Sequence, residues 1–114
     1  MNALGSTSVA AEFASGNVPA LLHEIRHGLA RLLETGESTF IDLRGIPLAP
    51  GEEDRIIELL GTGEARAVLE VLGRSEICES AYPGIWIVTH YDEAGSIESR
   101  FVEVTSIPDI LRSQ

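Results

Sequence analysis

The chain has 114 residues, enough for one domain with a true core. Eighteen acidic against eight basic residues leave a formal charge of −10 and a pI near 4.6; that field repels nucleic-acid phosphates and anionic lipid, which argues against both as partners. Cys78 is the single cysteine, which excludes an internal disulfide, and no apolar run approaches the length needed for membrane insertion.

Residues 1–16, MNALGSTSVAAEFASG, are small and polar, without the basic start and apolar centre of a signal peptide. They read as a flexible N-terminal lead in a cytoplasmic protein, followed by a single domain over 17–114. Val18–Gly36 then reads as an amphipathic helix: Asn17 caps it, Pro19 suits its first turn, and Gly36 suits the left-handed residue past its end. Leu22, Ile25, Leu29, Leu32 and Leu33 recur at three- and four-residue steps and form the expected core stripe. At roughly 100° per residue, His23, His27 and Glu34 fall about 150° or more from the middle of that stripe.

Ser38–Leu43 follows as a short strand ending in the turn at Gly45–Pro47, with Asp42 as a turn former. A second helix opens at Leu48–Asp54 with an acidic first turn, runs to about Leu60 with Ile56, Ile57, Leu59 and Leu60 on its buried side, and stops at Gly61. Ala65, Ala67, Leu69 and Val71 alternate with Arg66 and Glu70 as a half-buried strand, with helix as the alternative because Ala, Glu and Leu favour it, and Glu76–Tyr82 is the next strand. Ile85–Tyr91, IWIVTHY, is the most β-prone run and apolar on both faces at its start, as a central strand is. Residues 92–96 form a hairpin loop and Ile97–Val104 returns antiparallel; a five-residue loop predicts His90 opposite Glu98 and Ile87 opposite Phe101. Pro108–Arg112 suits a short terminal helix. The expected fold is α+β: two main helices packed on one face of a mostly antiparallel sheet of about five strands, with a short C-terminal helix.

One motif invites chemistry. His23-Glu24-Ile25-Arg26-His27 matches H-E-x-x-H, in which two histidines one turn apart hold zinc and the glutamate is the general base. A catalytic zinc takes three protein ligands, and the metzincin extension fails here, with Ala30 and Leu33 in place of its glycine and histidine. His90 reaches the helix only if the hairpin folds over the helix's polar face, and a glutamate is the other candidate for a third ligand, none having a distinctive setting. The pattern is therefore read first as an exposed polar or interaction surface, with His23 and His27 as metal candidates only. Gly61-Thr62-Gly63 follows a helix rather than a strand and is a helix stop, not a phosphate loop. Trp86 reads as core before interaction hot spot, Cys78 as a small buried hydrophobe, and no serine or cysteine has a base at hand.

Several separated blocks carry a resemblance that is more specific than that motif: the HEIRH helix, ETGESTFIDLRGIPL, LLGTGE, PGIWIVTH and EVTSIPDIL. Together they make residues 17–112 resemble the C-terminal region of the hydrogenase expression protein family known as HupH or HyaF, whose typical members are longer at the N-terminus. The resemblance implies a non-enzymatic accessory protein of [NiFe] hydrogenase maturation. Its expected role is that of a chaperone or assembly factor without a cofactor, which binds the small-subunit precursor and other maturation proteins. It carries over His23, Glu24, His27, Trp86 and His90 as family-motif positions and partner-binding candidates. Exported small subunits begin with a twin-arginine leader, which a −10 surface would attract. The alternative is a metal-binding protein or zinc-dependent hydrolase built on His23, Glu24 and His27.

Overall fold

A computed structural model describes residues 15–70 and 73–112, so the lead expected over 1–16 lies outside the described residues except at its last two positions. The elements are α1 (Asn17–Thr35), β1 (Thr39–Asp42), a 3-10 turn (Leu43–Gly45), α2 (Glu52–Leu60), β2 (Arg66–Glu70), β3 (Arg74–Glu79), β4 (Ile85–Tyr91), β5 (Ile97–Val104) and α3 (Asp109–Arg112). The strands form one antiparallel sheet in the order β1-β5-β4-β3-β2, which puts the IWIVTHY strand at its centre. No described helix is long and apolar enough to cross a membrane.

Alternation along the strands sorts the side chains onto two faces. Ile41, Val102, Val104, Ile85 and Ile87 meet Leu21 and Ile25 of α1 and Ile56 and Leu60 of α2, so both long helices cover the same face. Ile56, Val102 and Val104 are 0% exposed, and burying each contributes about 1.5–3 kcal/mol before entropy is counted. The helix approaches the sheet at Gly28, where an added Cβ would stand 3.2 Å from Thr39 Oγ1. The other face, far from α1 and α2, carries Phe40, Glu103, Trp86 and Glu79 in one cross-strand row, and Phe101, Val88 and Ile77 in the next.

The stripe of α1 is rotated from the expected one: Leu21, Ile25 and Gly28 are buried, Leu29 and Leu32 pack beside them, and Leu33 is 79% exposed. The cause is Gly28, whose missing side chain lets the sheet contact a line that a count of leucines passes over. Similarly, Leu59 of α2 is 38% exposed while Ile56 and Leu60 are buried. Gly16 rather than Asn17 caps α1, and the Asn17 amide instead donates to Pro47 O at 2.9 Å, tying the helix start to the loop before α2. Gly36 ends the helix in the left-handed region, its N–H donating to Leu32 O at 2.9 Å. Asp42 is a turn former as expected, accepting the Arg44 N–H at 2.9 Å. Cys78 is half-buried.

The hairpin loop spans residues 92–96 as predicted, yet the register beyond it differs by one. His90 stands opposite Ser99, Ile87 opposite Val102, and Val88 opposite Phe101, because an irregularity between His90 and Tyr91 shifts the pairing. One extra residue on one strand moves every later pair by one and turns Phe101 to the far face beside Val88.

A half-buried ionic cluster ties the sheet to α2. Glu53 pairs with Arg44 at 2.9 Å and with Arg100 at 3.1 Å, and Arg100 Nε also donates to Thr89 Oγ1 at 3.1 Å. The Glu53 and Arg100 side chains are 20% and 13% exposed.

Candidate functional site

The fold divides the candidate residues into two groups on opposite sides of the domain. His23, Glu24 and His27 lie exposed on the side of α1 away from Leu21 and Ile25, and therefore away from the sheet. Trp86 and His90 lie on β4, on the face opposite the one α1 covers, because they alternate with the helix-facing Ile85, Ile87 and Thr89. The hairpin does not fold over the helix, and His90 is not a third ligand for the histidine pair.

The two imidazoles of α1 stand one turn apart with ring centroids 6.1 Å apart and tilted by 48°. Among the described residues, no group of three or more histidine, cysteine, aspartate or glutamate side chains is placed to hold a metal ion. The pair offers two nitrogen donors, one fewer than a catalytic zinc takes from protein.

On the far face the geometry is richer. His90 Nδ1 and Ser75 Oγ share a hydrogen bond of 2.7 Å between β4 and β3, and the ring meets Phe101 edge-on, centroids 6.0 Å apart at 71°. The structure thus puts a base beside a serine, contrary to the expectation that none was at hand. Ser75 is 8% exposed, so its hydroxyl holds the imidazole through Nδ1. Sequence offers no sign of this pair, since the two residues are 15 apart and meet only through strand register.

One row further along, Phe40, Glu103, Trp86 and Glu79 stand side by side across β1, β5, β4 and β3. Trp86 is half-buried, neither pure core nor fully displayed, and its indole N–H donates to Thr105 O at 3.1 Å. Phe40 is 50% exposed. Glu103 is 8% exposed, and its buried Oε1 has no hydrogen-bond partner among the described residues. Burial first and the nearby Asp109 charge second push its carboxyl above the ordinary glutamate range, against the opposing pull of the Asp109 backbone N–H. The sequence analysis did not single out Glu103, which sits in the FVEV run of β5 with Asp109 at the start of α3 beside its carboxylate.

A cleft of about 470 Å³ between the 3-10 turn, the loop before α2 and Ile97 is the other concavity of note. Its Glu53 carboxylate is held by Arg44 and Arg100, which leaves little polar capacity for a ligand.

Comparison with known proteins agrees with this architecture. The family model for the HupH hydrogenase expression protein, C-terminal conserved region, matches residues 16–114. A solved structure, the hydrogenase expression protein HupH from Thiobacillus denitrificans ATCC 25259, superposes with a TM-score of 0.83 at 40% identity, covering 89% of this chain and 84% of that one. The hydrogenase expression/formation protein HoxQ of Azotobacter vinelandii is 28% identical over 90 residues, 79% of this chain. The chain spans 31% of the length of that curated relative. With the match running from the start of α1 to the last residue, and with the same fold in a relative of 40% identity, the chain belongs to the HupH hydrogenase expression protein family, as its C-terminal conserved region.

Proposed function

We propose that the chain is a non-enzymatic accessory protein of [NiFe] hydrogenase maturation that binds the small-subunit precursor, acting as a chaperone or assembly factor in the cytoplasm. The observation that carries this reading is the family match over residues 16–114, in a family whose members are described as hydrogenase expression proteins. The chemistry of the surface supports a binding role. Half-exposed aromatic side chains beside carboxylates, as on the far face, suit protein recognition, and a net charge of −10 favours a basic partner segment. The alternative hydrolase would need a third ligand for His23 and His27, and the described residues bring none to them.

His23, Glu24 and His27 on one side and Trp86 and His90 on the other are separate candidate surfaces, and we assign the main contact to the far face of the sheet. Capture of the small-subunit precursor by the tagged chain tests the function, with the precursor offered both with and without its leader. Binding of either form is the expected result, and failure to capture both refutes it. Stronger capture of the leader-bearing form would place the leader at the acidic surface; equal capture would exclude it.

A further inference from the structure

We infer that Glu103, set between Phe40 and Trp86 on the far face of the sheet, is the acceptor of a niche for a basic side chain, best an arginine, of a partner polypeptide. The inference deepens the proposed binding function by naming a residue-level contact, and it rests on that reading for the partner.

Three independent features meet at this place. The first is an unsatisfied acceptor. Glu103 is 8% exposed and its buried Oε1 has no partner among the described residues, whereas buried polar atoms are nearly always paired. The second is the flanking chemistry. Phe40 and Trp86 are the residues directly opposite Glu103 on its two neighbouring strands, about 4.8 Å away on either side. Two aromatic side chains flanking a carboxylate in one cross-strand row combine π-electron density with negative charge, a combination that favours a planar guanidinium over a strongly hydrated ammonium.

The third is the distribution of charge. All eight basic residues of the chain are arginine. The three on the sheet, Arg66, Arg74 and Arg100, point to the same side as α1 and α2, by their alternation with Val102 and their pairing with Glu76 and Glu53. The far face carries Asp42, Glu79 and Glu103 and none of the sheet arginines. Arg112 of α3 is drawn to Asp109 at 3.8 Å and to Thr105 Oγ1 at 3.4 Å, and among the described residues it makes no ion pair with Glu103. The far face is therefore complementary to a cation that comes from elsewhere.

Among the described residues, α3 stands beside the carboxylate. This helix is four residues long, has no buried side chain, and begins at Asp109, whose N–H faces the Glu103 carboxylate. Lifting that turn exposes Oε1, and the arriving guanidinium replaces the lost N–H with two charge-assisted donors. Ionisation of Glu103 is then favoured by the cation in place of being opposed by burial and by Asp109.

Trp86 is the sole tryptophan and so reports on the niche directly. The full chain is titrated with N-acetyl-argininamide and with N-acetyl-citrullinamide, its neutral isostere, and the Trp86 fluorescence and indole N–H resonance are followed. The expected result is saturable binding of the arginine probe, weakened about ten-fold or more for citrulline and to the same degree in Glu103→Gln. Phe40→Ala, at a half-exposed position, provides a second variant that keeps the fold and weakens the same response. Equal responses to the two probes, or an unchanged response in Glu103→Gln and Phe40→Ala, overturn the inference. Precursor capture separates this result from the general function: if wild type and Glu103→Gln capture it equally, the niche is wrong and the function stands. If the arginine probe binds while the precursor does not, the function is wrong and the niche stands.

Discussion

Removing the Glu53 carboxylate should uncouple α2 from the sheet, and the geometry sets the size of the effect. Glu53 serves two guanidinium groups, Arg44 at 2.9 Å and Arg100 at 3.1 Å, with its side chain 20% exposed and that of Arg100 13% exposed. At such contact the gross attraction of a unit pair is about 4 kcal/mol for an effective dielectric of ~20, and desolvation of both ions takes back a large part of it. A net coupling of about 1–2 kcal/mol between Glu53 and Arg100 remains, above the ~0.2–1 kcal/mol of exposed pairs. Glu53→Ala alone should cost more, about 2–3 kcal/mol, because it leaves the half-buried Arg100 with Asp54 at 3.8 Å as its nearest carboxylate, and that side chain is 89% exposed. The measurement is urea unfolding of wild type, Glu53→Ala, Arg100→Ala and the double variant, analysed as a cycle. A coupling energy below about 0.3 kcal/mol would show that the cluster is no stronger than a solvated surface pair, and the account of how α2 is fastened would fail.

Three further outcomes follow from the structure. An added Cβ at Gly63 would overlap Ser80 O, a backbone atom that cannot rotate away, so Gly63→Ala should lose about 2 kcal/mol or more in chemical denaturation; a neutral result would remove the close approach between the α2–β2 loop and the end of β3. Leu21→Ala should cost about 2–4 kcal/mol while Leu33→Gln stays within ~0.5 kcal/mol of wild type, and a reversal of that order in thermal melts would restore the leucine-count stripe. Glu103 has its carboxyl raised in the folded state, so as pH rises from its ordinary value of 4.5 the unfolded chain ionises first and stability falls through the window up to the raised folded value. Glu103→Gln lacks this loss, so its stability relative to wild type should improve as pH rises through that window and level off above it; a difference independent of pH would mean that Glu103 does not titrate abnormally.

The elements were legible because their signals are local. The Gly36 helix stop, the acidic first turn of α2, and the β-branched run of Ile85–Tyr91 each act within a few residues, and the observed bounds fall close to the expected ones. The placement of His23, Glu24 and His27 away from the core was equally readable, since the turn of a helix fixes it. The sheet's order also followed from short loops joining neighbouring strands, apart from β1, which crosses to pair with β5.

What sequence alone determined, then, is the set of elements, their polarity and the family to which their separated blocks point. The tertiary structure decided which of those residues share a surface. A one-residue irregularity after His90 set the register that puts Phe101 beside Val88, because side chains alternate with a period of two and any slip exchanges the faces. Strand pairing brought Ser75 to His90, and Glu103 between Phe40 and Trp86, contacts between residues 15 to 63 positions apart that no local pattern encodes. The H-E-x-x-H run, conspicuous in the sequence, received no third ligand among the described residues, while Glu103 acquired a buried oxygen with no hydrogen-bond partner among them. Local chemistry specifies what each segment is; burial and pairing, which are sums over the whole chain, specify what each side chain meets.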